Sequence, residues 1–377
     1  MNGGKVINEG AYGCIYNPAL QCSENKQKYT NRKRKINKLQ IHNEYAENEL
    51  RIGKIVSELP EYEKRFSPLY SKNEACTKLK IKQFKNGTLT ECSIMTKQNP
   101  TTKVMLLEGN YMKDGVSIEE YIDSLKSECD ILNALNRIFL YIVESIQVLT
   151  KNQIVHFDLR NPNIIYDTTV HIPIVLDFGI SFHINDMMSD YERVFIAYSP
   201  KYYIYPPEVM LVSHFMFNKK DDIDFSVSQV YQDCIKNKLY TDLLPQKYRE
   251  SYKKELTTLF ENLQEHKSVE RMLKSYSVEK YYQTWDVYMF SIFFLKLLQK
   301  ESANVYIEEL QYLCYRCIHP NPSKRPSIED VLVHTEKIQN KFREENKKIC
   351  KLKSKSKSTT YSDSLFLEDY SLRDNLS

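Results

Sequence analysis

An acid and an amide with four residues between them, Asp158 and Asn163, constrain this chain more than any other feature. They sit in the run His156-Phe157-Asp158-Leu159-Arg160-Asn161-Pro162-Asn163. Short β-forming stretches follow at 164–166 and 173–176 and close on Asp177-Phe178-Gly179. The pattern is a polar loop ahead of a short hairpin that ends in Asp-Phe-Gly, and any fold for the chain has to build around it.

What surrounds this run changes character along the chain. Residues 5–16 predict two short strands around a glycine turn at Gly10 and Gly13, and 33–40 alternates like a third strand. From His42 to Leu59 apolar residues recur at helical spacing, and Pro60 stops the helix. Residues 76–84 and 90–97 predict a hairpin closed near Asn86-Gly87, and 103–108 predicts a buried strand. From Ser117 the period becomes helical, with helices predicted at 117–126, 128–151, 277–300, 304–318 and 327–345. The polar stretch from Met210 to Ser277 is too long for a connection and reads as an insertion, helical over 246–275. Beyond Lys347 the chain turns basic and then Ser-rich, the composition of a disordered tail.

Composition only sets limits. A hydrophobic fraction of 42% in 377 residues supports a packed core, and a net charge of +4 gives no global field for nucleic acid. Nine cysteines, odd in number and scattered, are read as thiols of a soluble protein in a reducing compartment, and no run is expected to span a bilayer. Cys314 and Cys317 share the helical spacing of Leu310 and Leu313, which is core packing rather than a metal site.

Phosphoryl transfer from ATP needs one carboxylate to orient the attacking hydroxyl, and a second carboxylate with an amide oxygen to hold Mg²⁺. Asp158, Asp177 and Asn163 are of those types, and their spacing resembles that of eukaryotic-type serine/threonine protein kinases. The resemblance implies an α+β bilobal kinase fold, with a β-rich N-lobe at 1–112, a mainly helical C-lobe at 113–346 carrying the 210–277 insertion, and a tail at 347–377. It implies ATP with Mg²⁺, or Mn²⁺ in its place, and a protein substrate. Asp158 takes the place of the catalytic base, Asn163 and Asp177 those of the metal ligands, and Arg160 that of the cation beside the γ-phosphate. Cofactor-contacting positions fall on Ile7, Asn8, Gly10, Gly13 and Ile15, with Asn8 where the first glycine of G-x-G-x-x-G would stand. Asn tolerates a left-handed backbone better than most residues, which would let it serve there.

The strand lysine that binds phosphate and the helix glutamate that holds it are assigned to Lys38 and Glu49. Lys33, Lys35, Glu44 and Glu47 lie near enough that a slip of register would exchange the roles. Adenine contacts are expected from the backbone of 107–112. Glu208 in Pro206-Pro207-Glu208, Arg325 and Asp286 resemble the architectural set that small-molecule phosphotransferases of related pattern lack. Phe157 stands where many kinases carry an arginine that receives an activating phosphate, so that switch is expected to be absent; Arg193 and Lys201 remain as other receivers. The compact N-lobe and these departures resemble kinases of large DNA viruses, implying host cytoplasm or virion, with a nuclear address open to the basic tail.

Overall fold

Alternating β-branched and polar residues near the N-terminus produce β1 (Lys5–Gly10) and β2 (Gly13–Asn17), an antiparallel pair continued by β3 (Lys35–Ile41). A computed structural model describes residues 5–10, 13–20, 32–72, 79–80, 89–195, 198, 203–218, 223–266 and 268–354. Helix α1 (Glu44–Ser57) starts where the Asn43 side chain accepts the Ala46 N–H, satisfying one of the donors a helix start leaves orphaned. Short strands β4 (Phe66–Ser67), β5 (Ser71–Lys72) and β6 (Leu79–Lys80) precede α2 (Ser93–Thr96) and β7 (Lys103–Asn110). The first sheet runs β1-β2-β3-β7-β5, with β6 also on β7.

Strand β7 is apolar on both faces because both are covered. Val104 and Leu106 pack with Cys14, Tyr16, Leu39 and Met95, under α2; Met105 and Leu107 pack with Ala46, Leu50 and Leu69, under α1. The expected strand at 90–97 is instead the helical turn α2, whose Met95 is fully buried. Cys92 just before it forms a disulfide with Cys14 across a Cα–Cα distance of 6.0 Å, and Cys129 is disulfide-bonded as well. The reading of the cysteines as thiols therefore fails at these positions: spacing alone carries no pairing signal when 78 residues separate the partners. The predicted turn at Asn86-Gly87 lies outside the described residues.

The second part starts with β8 (Gly115–Ser117), α3 (Ile118–Ser124) and α4 (Glu128–Lys151), followed by β9 (Ile154–Val155), β10 (Ile164–Asp167), β11 (Ile172–Leu176) and β12 (Phe182–His183). A second sheet runs β4-β11-β10-β8, and β12 pairs with β9. Two short helices, α5 (Asp186–Ser189) and α6 (Tyr191–Val194), lead toward α7 (Pro207–Asn218). The expected insertion is helical almost throughout: α8 (Ile223–Lys236), a π-turn at Leu239–Leu243, α9 (Gln246–Gln264) and α10 (Val269–Val278).

Helix α11 (Trp285–Leu298) is the axis of this part, every residue but Lys296 being buried. It begins later than 277 because Lys280 adopts a left-handed φ of 54° after α10 and a 3₁₀ turn follows. Helices α12 (Val305–Cys317) and α13 (Ile328–Ser354) complete the core, and α13 runs past the expected end at 345 into the Lys-rich stretch. By length and composition α4 is apolar enough to cross a membrane, contrary to the expectation that no run would be. Its apolar face, from Leu132 to Leu149, is instead packed in the main core with α11.

Candidate active site

The positions of Lys38 and Glu49 follow from strand parity and helix phase. Lys38 pairs across to Ile15 of β2 and Leu107 of β7, and its side chain is buried. Its Nζ lies 2.8 Å from Glu49 Oε1 and 3.2 Å from Asp177 Oδ1, and Gln40 donates to Glu49 Oε2 at 3.0 Å. Burial alone would lower the Lys38 pKa, but Glu49 and Asp177 outweigh it and hold the ammonium protonated well above the usual lysine range. For Asp177, burial pushes up and Lys38 pulls down; the net shift is downward, so the carboxylate stays ionised.

The rival residues are placed elsewhere. Three positions from Lys38 on an alternating strand, Lys35 donates to Tyr70 Oη at 3.0 Å and Asn110 Oδ1 at 2.9 Å. Lys33 is exposed in a 3₁₀ turn before β3. Glu44 is exposed at the start of α1, and Glu47 lies 2.7 Å from His42.

In the glycine hairpin Ile15 is cross-strand to both Asn8 and Lys38, so the three share one face of the sheet. Ile7 falls at a register shift between Val6 and Asn8 and is 48% exposed, an apolar side chain with part of its surface uncovered. The left-handed backbone expected of Asn8 needs correction. Asn8 is extended within β1 and has no left-handed backbone. A Cβ on Gly13 would come within 2.3 Å of the Leu39 carbonyl oxygen, so glycine is required there by the approach of β3, whereas at Gly10 a Cβ would meet the Gly13 carbonyl oxygen at an ordinary contact distance of 3.9 Å.

Below the sheet, the loop after β9 is held from α11. Asp286 accepts the backbone N–H of His156 at 2.7 Å through Oδ2 and that of Phe157 at 2.8 Å through Oδ1. Burial raises the Asp286 pKa and the two N–H donors and His156 partly offset it. The two bonds fix Phe157 at a left-handed φ of 67°, a conformation a bulky residue adopts only when its surroundings impose it. Arg160 Nε lies 3.0 Å from Asp158 Oδ1, and Asn163 Nδ2 donates to the Asp158 carbonyl at 2.8 Å and to Oδ2 at 2.7 Å. Asp177 directly follows β11 and is also left-handed, at φ 58°.

The donor set suits a hard divalent cation shared with a phosphate. Asn163 keeps Oδ1 as its acceptor once Nδ2 is committed to Asp158, and Asp177 Oδ2 carries no hydrogen bond among the described residues. A Cβ on Gly179 would intrude 3.0 Å from Asp177 Oδ1 and 3.7 Å from Lys38 Nζ, so glycine keeps that corner open.

Behind the site, Glu208 and Arg325 form a fully buried bidentate pair at 2.6 and 2.9 Å, and Trp285 Nε1 donates to Glu208 at 2.9 Å. Phe157 packs against Phe182, Phe195, Tyr205 and Trp285, ring centroids 5.0 to 6.0 Å away. Sequence reading missed Gln40 and also Asn48, which donates to the Ser181 carbonyl at 2.8 Å; Ser181 Oγ in turn donates to the His156 carbonyl at 2.8 Å. No local pattern marks Asn48, whose contact spans 133 residues. Gln40 lies nine residues from Glu49, and its even-numbered spacing from Lys38 on the strand is the signal that could have found it.

This two-part architecture, with a glycine hairpin and lysine over one side of a cleft and an Asp-Asn loop over the other, is the bilobal protein kinase fold. The protein kinase domain model matches residues 72–335, more than half of the 377, and the chain belongs to the protein kinase family. The match starts after α1, so Lys38 and Glu49 rest on the geometry above. Among curated proteins, none matches the chain.

Proposed function

We propose that the chain is a catalytically active serine/threonine protein kinase. The observation that carries this reading is the assembled Lys38–Glu49–Asp177 contact beside Asp158 and Asn163, with the corner at Gly179 left open. In this reading Ile7 and Ile15 cover the adenine, the backbone of 107–112 hydrogen-bonds its edge, and Asn8, Gly10 and Gly13 carry the hairpin over the phosphates. Lys38, held by Glu49, binds the α- and β-phosphates of ATP. Asp158 accepts the proton of the substrate hydroxyl as its oxygen bonds the γ-phosphorus and the bond to ADP breaks. Arg160, 3.0 Å from Asp158, offsets the charge carried by the moving phosphoryl group. Asn163 and Asp177 would hold Mg²⁺, or Mn²⁺, which neutralises phosphate charge when bound.

Arg160 supports Ser/Thr over Tyr, since tyrosine kinases usually place their cation further along. The buried Glu208–Arg325 pair and the Asp286 anchor support a protein substrate over a small molecule. Incubation with labelled ATP, Mg²⁺ and a mixed peptide library, followed by phosphoamino-acid analysis, tests the reading. Label is expected on Ser and Thr, and Asp158→Asn or Asp177→Asn is expected to lower it by about a thousandfold with the fold intact. Label on Tyr alone would refute the specificity, and ATP binding without transfer would mark a pseudokinase.

A further inference from the structure

Phe157 has no cation to offer, yet the segment after Asp-Phe-Gly is tied to α1 by charge. Asp186, at the start of α5, accepts from Arg51 of α1 through Oδ2, and the same oxygen accepts from Arg193 of α6 at 3.3 Å and from the His183 N–H at 3.2 Å. The Arg193 side chain is 7% exposed and also bonds Asp190, so this expected phosphate receiver is already occupied. Lys201 lies outside the described residues. Arg51 further donates to Asn48 Oδ1 at 2.7 Å, and Asn48 reaches the Ser181 carbonyl. Asn48 and Arg51 flank Glu49 on one helix, so whatever holds them to the segment also fixes the glutamate that holds Lys38.

We propose that Asp186 is a positioning residue: its carboxylate, bridging Arg51 of α1 and Arg193 of α6, locks α1 so that Glu49 keeps Lys38 at the phosphates. The chain supplies its own anion where a phosphorylated side chain would otherwise be needed. This rests on the kinase reading of Lys38 and Glu49. The lock is intermediate in strength. Arg51 is 44% exposed, so its half of the bridge is screened by water, whereas Asp186 at 17% and Arg193 at 7% are largely withdrawn from it.

The test compares wild type, Asp186→Asn, Asp186→Glu and Asp190→Asn, all stripped by a phosphatase, in steady-state kinetics with ATP and an unphosphorylated acceptor peptide, and in amide hydrogen exchange over residues 44–57. Stripped wild type is expected to stay active. Asp186→Asn should lower kcat by about five- to thirtyfold, more than it raises the KM for ATP, between the effect of a screened pair and a buried one. It should also speed exchange in α1, and Asp186→Glu should restore both. Asp190→Asn, which leaves Arg51 untouched, should change kcat by about twofold or less. Unchanged kcat and exchange in Asp186→Asn would overturn the proposal. So would equal losses in Asn and Glu variants with a lowered melting point, the mark of a damaged fold. Loss of wild-type transfer on stripping alone would overturn the proposal that the chain supplies its own anion. If wild type transfers no phosphate even before stripping, the kinase reading falls, and exchange in α1 still decides whether Asp186 locks the helix.

Discussion

Two cation–carboxylate pairs, Lys38–Glu49 and Arg325–Glu208, have nearly equal contact distances and opposite surroundings. Arg325 and Glu208 are wholly enclosed, and every neighbour completes them: Trp285 and Thr284 side chains, and the His319 and Pro320 carbonyls. Lys38 has a third partner, Asp177, whose side chain is 46% exposed, so its network opens on the cleft. The closed pair presents no exposed group to a ligand, while the open one keeps Asp177 Oδ2 and the Gly179 corner. Closure marks architecture here and incompleteness marks chemistry.

The contrast can be broken by substitution. Arg325→Met strands the Glu208 charge and should cost about 3–5 kcal/mol in urea unfolding; adding Glu208→Leu should recover part of that, since no buried charge remains. Activity per folded molecule should change far less. Lys38→Met should do the reverse, lowering kcat/KM by about 10²- to 10³-fold in peptide phosphorylation. Its stability loss should be smaller than that of Arg325→Met, because burial and the neighbouring Asp177 push the Glu49 carboxyl upward against the Gln40 hydrogen bond, so the orphaned acid takes up a proton. Equal unfolding losses in the two variants would erase the distinction.

Phe157→Leu keeps the aromatic cluster apolar and should destabilise by about 1–1.5 kcal/mol, with turnover insensitive to phosphatase. The smallest effect is expected from Lys35→Met, which loses part-buried hydrogen bonds to Tyr70 and Asn110 worth about 0.5–1 kcal/mol and leaves kcat within about twofold. A dead Lys35→Met enzyme would exchange the roles of the two lysines.

Features within one short stretch were legible in sequence. Helix α4 was read end to end because its apolar period is long and Ser127 caps it. The Asp158–Asn163 loop and Asp177 were read because five residues and one hairpin hold their geometry. Lys38 and Glu49 were narrowed but not fixed, since parity depends on where β3 enters the sheet. Contacts between Arg51 and Asp186 or Asn48 and Ser181 span more than 130 residues and depend on docking of the two lobes, which no local pattern encodes. Short segments also misled: 90–97 has strand-like composition, but burial of Met95 turned it into a helix.

The Cys14–Cys92 bond joins residues 78 apart, so everything between them is a covalent ring that remains closed when the protein unfolds. That ring contains β3 and α1, and with them Lys38, Gln40, Asn48, Glu49 and Arg51. In a chain-entropy account a ring of this size shrinks the disordered ensemble by about 4–5 kcal/mol. The contacts of Lys38 with Glu49, and of Gln40 with Glu49, form inside it; those with Asp177, Ser181 and Asp186 cross its boundary. The upper half of the site is thus a tethered unit whose contacts with Asp177, Ser181 and Asp186 form by docking, and the oxidised protein should refold faster than its reduced form.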